Sequence, residues 1–233
     1  MIFQRIVAGL FALLFGAACP AASLAERSPF AQGQWWDPTR AGNGFEIVNV
    51  GDLVAVIWFT YNDAGQPTWY AAQGSLATLG TQAWPLMQHR WGSDGKSNPT
   101  IVGSLKLTTR HPESAEIAWE IGSGRGTWSI QPLILSGVIS EVDHSGVWFD
   151  PRNGGWGLSL TEQGETFGGV LYTYDFQGAP TWIAGFERSG LRSVEFHSYT
   201  GACPACPYRP SVASSVGRLS FDLLSEAELA LRS

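Results

Sequence analysis

Two aspartates in matching places of the chain, Asp37 and Asp150, have the residue type and the spacing for acid–base chemistry. A glycoside hydrolase needs two carboxyl groups about 5–10 Å apart across a cleft. Asp37 and Asp150 would meet that need if the segments around them faced each other, so a hydrolase is one hypothesis. Each aspartate also precedes a proline, and Asp-Pro is a frequent turn start. The turn interpretation is favoured because it explains both aspartates without catalysis.

The segments around these aspartates also predict a ligand site. Gly33–Gly44 reads GQWWDPTRAGNG and Gly146–Gly157 reads GVWFDPRNGGWG. If both lie at the mouths of barrels, they occupy a common place for ligands. The candidate ligand-binding residues are Trp36, Asp37, Asn43, Asp150 and Trp156. The tryptophans among them, together with Trp84 and Trp91, are expected to form an exposed aromatic surface that contacts a partner.

The remaining sequence predicts no catalytic group, metal or cofactor. The four histidines have no metal-ligand spacing, and no Gly-x-Ser-x-Gly motif is present. Of the histidines, His89 and His197 are expected to be exposed strand residues. Asp143-His144-Ser145 has the residue types of a triad, but neighbours on a strand point to opposite faces. The glycine-rich stretch Gly122–Gly126 lacks the lysine and the helix of a phosphate-binding loop.

Two of the three cysteines, Cys203 and Cys206, lie close together in GACPACPY. In an exported protein this spacing and the flanking prolines favour a small disulfide that holds a loop. A redox pair would need a helix N-terminus or a nearby cation to lower the thiol pKa, and no helical pattern precedes Cys203.

The N-terminus has the pattern of a secretory signal peptide. Arg5 precedes the apolar run Ile6–Ala18, and Ser23-Leu24-Ala25 is a suitable cleavage site. Residues 1–25 are therefore predicted to be removed, leaving a periplasmic or secreted protein without an integral membrane segment. A lipoprotein anchored at Cys19 is the alternative.

Composition and charge restrict the partners. The chain has 14 Lys and Arg against 20 Asp and Glu, a formal net charge of −6. This acidic balance without a basic patch argues against nucleic acid and against an anionic membrane surface. The expected partner is a small molecule, a glycan or a protein. The 28 glycines and 11 tryptophans are typical of turn-rich β structure.

The mature chain is an internal duplication. With an offset of 113 residues, Gly33–Gln73 aligns without a gap to Gly146–Phe186. Further on, Ile101–Thr109 matches Ser215–Leu223, and Ala115–Trp119 matches Ala227–Leu231. A fixed offset of this length indicates two units, each of small-domain size. The predicted domains are a first repeat over 26–133, a packed bridging segment over 134–145 and a second repeat, one strand shorter, over 146–233.

Period-2 alternation predicts strands throughout. The predicted strands of the first repeat are 33–37, 43–50, 53–62, 67–76, 83–90, 100–109, 114–121 and 125–133. Short connections between strands favour an antiparallel meander, closed as a barrel or folded as a sandwich. We therefore predict an all-β fold of two tandem barrels. Leu53–Tyr61 is apolar on both faces, so the other repeat is expected to cover it, and Ile134–Ser140 is expected to close the shorter barrel.

The most nearly repeated stretch is YNDAGQPTW at Tyr61–Trp69, which returns as YDFQGAPTW at Tyr174–Trp182. Asn62 and Asp175 start turns, and the glycines that follow accept a positive φ. The motif therefore predicts a hairpin once per repeat. Its flanking aromatic residues are expected to pack together across the strands and not to contact a ligand.

The Gly-x-Trp start of each repeat, with Asp37 or Asp150 two residues after the tryptophan and glycines beyond, resembles avidin-like and lipocalin-like barrels (calycins). In avidins the place of Asp37 is held by an asparagine that helps to bind biotin, and a serine follows the glycine. Asp37 and Asn43 stand here instead, so biotin binding is not implied. The frame W-x-D-P, G-x-G, Y-x-x-x-G-x-P-x-W also resembles tandem repeats of exported proteobacterial proteins without an assigned activity.

Three functions remain from the sequence. The first is an exported, non-enzymatic binding module for an apolar ligand, a glycan or a protein. The second is a secreted inhibitor or a structural protein of the envelope. The third is the hydrolase that uses Asp37 or Asp150, and it ranks last because no further catalytic constellation accompanies it.

Overall fold

The computed structural model of the protein describes residues 2–5, 30–136, 143–152, 155–188, 191–225 and 228–232. Within these ranges the chain forms strands, short turns and a single 3-10 turn at Leu76–Thr78. The strands form two closed antiparallel barrels of eight strands each. No helix in this part of the chain is long and apolar enough to span a bilayer.

The strands, numbered in chain order, are β1 (Ile2–Arg5), β2 (Gly33–Trp36), β3 (Gly44–Val50), β4 (Leu53–Tyr61), β5 (Pro67–Ser75), β6 (Trp84–Trp91), β7 (Ser97–His111), β8 (Ser114–Ile121), β9 (Gly124–Pro132), β10 (Gly146–Phe149), β11 (Gly157–Gln163), β12 (Thr166–Tyr174), β13 (Pro180–Glu187), β14 (Ser193–Thr200), β15 (Val212–Ser225) and β16 (Glu228–Arg232). The first barrel is the meander from β2 to β9. The second runs from β10 to β16 and takes β1 as its eighth strand. The predicted all-β tandem architecture is confirmed.

The eighth place in the second barrel is taken by β1, which lies between β10 and β16. Gln4 and Arg5 pair with Phe149 and Trp148, and the Arg5 guanidinium donates to the carbonyl of Asp143 at 3.2 Å. The second barrel is therefore closed by β1 and not, as was expected from the sequence, by Ile134–Ser140. Residues 134–136 form no strand, and 137–142 lie outside the described residues. Ile2–Arg5 also lies within the predicted signal peptide, residues 1–25, whose cleavage would leave the second barrel with the seven strands β10 to β16. The signal peptide remains a prediction.

The interior of each barrel is filled with side chains. In the first barrel the indole of Trp58 lies at the centre, with ring centroids 5.1–5.6 Å from Trp128, Phe45 and Trp119. Aromatic pairs at such spacings add to the free energy of burial. The interior of the second barrel is built around Trp148 and smaller apolar residues, which include Phe167, Phe196 and Phe221. These barrels therefore hold packed cores in the region that a lipocalin uses for a ligand.

Both predicted hairpins form. Asn62 and Gly65 close the turn between β4 and β5, where the Asn62 side chain accepts hydrogen bonds from two backbone amides and Gly65 has a φ of +77°. Asp175 and Gly178 repeat the arrangement between β12 and β13, and Gly178 has a φ of +74°. The identical glycines of the motif thus follow from backbone geometry.

Cys203 and Cys206 form the predicted disulfide. It lies in the loop between β14 and β15, which runs over 201–211, whereas the corresponding loop of the first repeat spans only 92–96. The Gly201 amide donates to the Gly65 carbonyl of the first barrel at 3.0 Å. The disulfide therefore holds a loop that bridges the two barrels.

Candidate functional site

Both predicted acid–base residues cap turns. Asp37 Oδ1 accepts hydrogen bonds from the backbone amide and the hydroxyl of Thr39, at 2.8 and 2.7 Å. Asp150 Oδ1 accepts from the backbone amide of Arg152 at 2.9 Å and from its side chain at 3.3 Å. Both aspartates are buried. Each carboxylate thus orders its own turn, as the favoured interpretation of Asp-Pro predicts.

Asn43 also supports its loop. Its side chain donates to the Arg40 carbonyl at 3.2 Å and accepts from the Thr60 hydroxyl at 2.6 Å. Trp156, at the same place in the second repeat, is partly buried and packs against the second core. Trp36 is partly buried at the end of β2. The candidate ligand-binding residues thus belong to two different barrels, and each supports a loop or lies at a strand end of its own repeat.

The expected aromatic surface is only partly present. Trp84 is 3% exposed, and its indole donates to the Thr78 hydroxyl at 3.0 Å, so the prediction that it is exposed is wrong. The physical reason is Gly74, whose missing side chain leaves room for the Trp84 ring. His89 was likewise expected at the surface and is buried, because Trp69 stacks on it with ring centroids 5.2 Å apart.

The two barrels dock through the strands that flank the repeated hairpins. Phe59, Tyr61 and Trp69 of the first repeat form one buried cluster with Tyr172 and Trp182 of the second. These side chains leave the outer faces of β4, β5, β12 and β13, so each repeat covers the other. The expectation that Leu53–Tyr61 is covered on its second face is confirmed.

A hydrogen-bonded chain of polar groups crosses this interface. His89 Nδ1 lies 2.9 Å from the Ser97 hydroxyl, which lies 2.8 Å from the Tyr174 hydroxyl of the other barrel. Burial lowers the pKa of His89 to about 4 and raises the pKa of Tyr174 to about 12. Both are therefore neutral at pH 7, which suits a structural link between the barrels and makes His89 a weak base.

The loops between aspartate and Gly-x-Gly lie against the opposite repeat. A Cβ placed on Gly155 would lie 2.6 Å from the ring of Trp91, and one on Gly42 would lie 2.6 Å from the hydroxyl of Ser211. Both glycines have a positive φ. Each candidate loop therefore needs its glycine for backbone conformation and for close approach to the neighbouring barrel.

An open groove of about 500 Å³ lies on the outer surface of the first barrel. Its lining includes three hydroxyl and three charged side chains: Thr81, Ser104, Thr127, Lys106, Glu120 and Arg125. Alternation places Ser104, Lys106 and Glu120 on the face of β7 and β8 opposite the core residues Leu105 and Trp119. Among the described residues, none of the six polar side chains makes a hydrogen bond or ion pair with another.

The corresponding surface of the second repeat is different. By the repeat alignment, Arg218 matches Ser104 and Arg232 matches Glu120. Arg218 forms an ion pair with Glu187 at 2.9 Å, and Arg232 forms one with Asp222 at 2.8 Å. At these two places the first repeat has the Ser104 hydroxyl and the Glu120 carboxylate, and among the described residues neither side chain makes a hydrogen bond or an ion pair.

The groove was missed from the sequence because surface lysines, glutamates and threonines on a strand look like ordinary solvent-facing residues. The signal that could have found it is divergence between the repeats at aligned outward positions. No group of three or more His, Cys, Asp or Glu in the described part of the chain is arranged to hold a metal. No protein-family model, curated protein or solved structure matches this chain.

Proposed function

We propose that the chain is an exported, non-enzymatic binding module that holds a short glycan in the groove of the first barrel. The observation that carries the proposal is the set of polar side chains that line this groove without pairing with one another. Hydroxyls, a carboxylate and two cations offer donors and acceptors to a polyhydroxylated ligand. The export rests on the predicted signal peptide.

The lining favours a glycan over the other ligand classes. Apart from Ala83, Ala118 and the buried Trp119, its side chains are polar, so an apolar ligand would leave buried charges without partners. An open groove on the outside of a strand surface also suits a short chain better than a compact molecule in a closed cavity. Lys106 and Arg125 would bind acidic or hydroxyl groups, and Glu120 would accept hydrogen bonds from sugar hydroxyls.

The test is a glycan and lipid screen with the purified protein, followed by calorimetric titration of each hit. The Lys106→Ala and Arg125→Ala substitutions should each weaken glycan binding about tenfold or more, because each removes a charge-assisted hydrogen bond. Arg110→Ala, also on β7 but paired with Glu116, is the matched control and should leave binding unchanged. A glycan that binds both groove variants and the control equally would contradict the proposed site.

A further inference from the structure

A buried carboxyl group lies in the contact between the barrels and has no place in the proposed function. Glu46 is on β3, is 1% exposed, and neither of its carboxyl oxygens has a hydrogen bond of ordinary geometry among the described residues. A buried carboxylate without a partner is among the most costly groups a protein can contain. It follows that the docked arrangement requires the neutral form of this side chain.

The position of Glu46 on its strand explains its burial. Phe45 and Ile47 point into the first core, so Glu46 points outward, where a single barrel would expose it to water. The second barrel covers this face. The residue with the same place in the second repeat, 113 positions on, is Ser159, and it is fully buried beside Glu46. The two repeats therefore meet here with unlike residues, a carboxyl facing a hydroxyl.

The residues that face Glu46 supply no compensating charge. Gln34 and Ile57 lie directly opposite on β2 and β4, and Ser159 and Tyr172 lie across the interface. Tyr172 is the titratable member of this set, and burial raises its pKa, so it stays neutral. Burial likewise raises the pKa of Glu46 to about 8, and the Ser159 hydroxyl only partly opposes that rise.

We propose that Glu46 makes the docking of the two barrels sensitive to pH, so that they dock tightly while its carboxyl is neutral and loosen as it ionises. Opening lets water reach Glu46, whose ordinary pKa is 4.5. A group whose pKa is raised in the closed state favours that state fully below its ordinary pKa. It loses that effect as the pH rises, and the loss levels off above pH 8.

A second titratable group in the interface acts in the opposite sense. His89 has a lowered pKa when the barrels are docked, so protonation favours opening as the pH falls below about 6.5. The two effects oppose each other between about pH 4.5 and 6.5. Between about pH 6.5 and 8 the ionisation of Glu46 acts alone, and this is the range in which it can be measured.

Backbone amides that cross the interface report the opening directly. The Trp91 amide donates to the Gly178 carbonyl at 2.9 Å, and the Gly201 amide donates to the Gly65 carbonyl at 3.0 Å. Hydrogen exchange, corrected for intrinsic rates, should show protection of these two amides falling about 15-fold between pH 6.5 and 8, most steeply at the lower end of this range. Amides in the ladder between β8 and β9, inside the first barrel, should keep their protection.

The Glu46→Gln variant should remove this fall, because the amide is neutral at every pH and has nearly the same shape. Glu120→Gln, on an exposed side chain of the same barrel, is the matched control and should keep it. If Glu46→Gln does not fold, Glu46→Ser introduces the residue of the second repeat and gives the same expectation. An unchanged fall in the Glu46 variant, or an equal fall at the β8–β9 amides of the wild type, would overturn the proposal.

Discussion

The indole nitrogen of Trp69 donates a hydrogen bond to the backbone carbonyl of Thr173 at 3.0 Å, from one barrel to the other. The bond from Trp182 to the carbonyl of Thr60, at 2.9 Å, is its counterpart. Both donor and acceptor move by the repeat offset of 113 residues, so the two bonds are related by an approximate two-fold axis. An interface in which the same surface is used from both sides is typical of homodimers. Here a single chain contains both halves.

Removing either of these bonds should destabilise the protein. The Trp182→Phe substitution keeps an aromatic ring but leaves the carbonyl of Thr60 buried without its donor, which costs about 1–3 kcal/mol. Trp69→Phe should have a comparable effect through Thr173. Urea denaturation followed by circular dichroism measures the change in the free energy of unfolding.

The matched control for these substitutions is Trp36→Phe, because Trp36 is partly buried in the first barrel and its indole makes no hydrogen bond among the described residues. It should cost less than Trp69→Phe or Trp182→Phe. Equal losses for all three would show that the indole bonds across the interface contribute nothing.

The repeated hairpin should tolerate no side chain at Gly178. This residue has a φ of +74°, and a Cβ would lie 2.2 Å from the carbonyl oxygen of Trp91 in the other barrel. Gly95 has a similar φ of +71° but open space around it. Gly95→Ala should therefore cost about 1–2 kcal/mol for the left-handed backbone alone. Gly178→Ala should cost at least about 1 kcal/mol more in the same denaturation assay, and equal costs would contradict the close docking of the hairpin.

Acid should weaken the protein through His89. Its pKa is about 4 in the folded chain and about 6.5 when exposed, so the unfolded chain binds the extra proton. The free energy of unfolding is therefore not reduced by His89 above about pH 6.5. It falls as the pH drops toward 4, by about 3 kcal/mol in all. The corresponding residue of the second repeat is Tyr199, which stacks on Trp182. The His89→Tyr substitution therefore introduces a ring that can stack in the same way and does not ionise in acid. The variant should lose less stability between pH 6.5 and 4, and urea denaturation at each pH measures this loss. If the free energy of unfolding of the variant fell with acid as much as that of the wild type, this role of His89 would be contradicted.

The two aspartates of the Asp-Pro turns should affect stability and not binding. Asp37→Ala and Asp150→Ala each remove a turn-capping acceptor and should cost about 1 kcal/mol. Affinity for a groove ligand should stay within about twofold of the wild type. A large loss of affinity at unchanged stability would show instead that these aspartates contact the ligand.

Much of the fold followed from local pattern. Alternation placed the strands of the first repeat within a few residues of their bounds, and Asn62 with Gly65 predicted the hairpin. Local chemistry decides these features, because turn geometry and strand faces depend on neighbours in sequence. The double apolar face of Leu53–Tyr61 even indicated a covering partner.

The interface chemistry did not follow in the same way. Glu46 lies on a strand face that water would normally reach, and nothing near it in sequence shows that the second barrel covers it. His89 and Ser97 belong to one repeat and Tyr174 to the other, 77 residues beyond Ser97. Such groups meet only through docking of the two barrels, which alternation within one strand does not specify. Trp84 was misplaced for a related reason, since the space that accepts it comes from Gly74 on a different strand.

The binding function is tested most directly by amide chemical-shift mapping, in which the glycan with the highest affinity in the screen is titrated into isotope-labelled protein. The largest shifts are expected on the groove strands, at Ser104, Lys106, Ala118, Glu120 and Thr127, and the Arg125→Ala substitution should reduce them. Shifts centred on Asp37–Asn43 or Asp150–Trp156, or no saturable shift with any glycan or lipid, would contradict it.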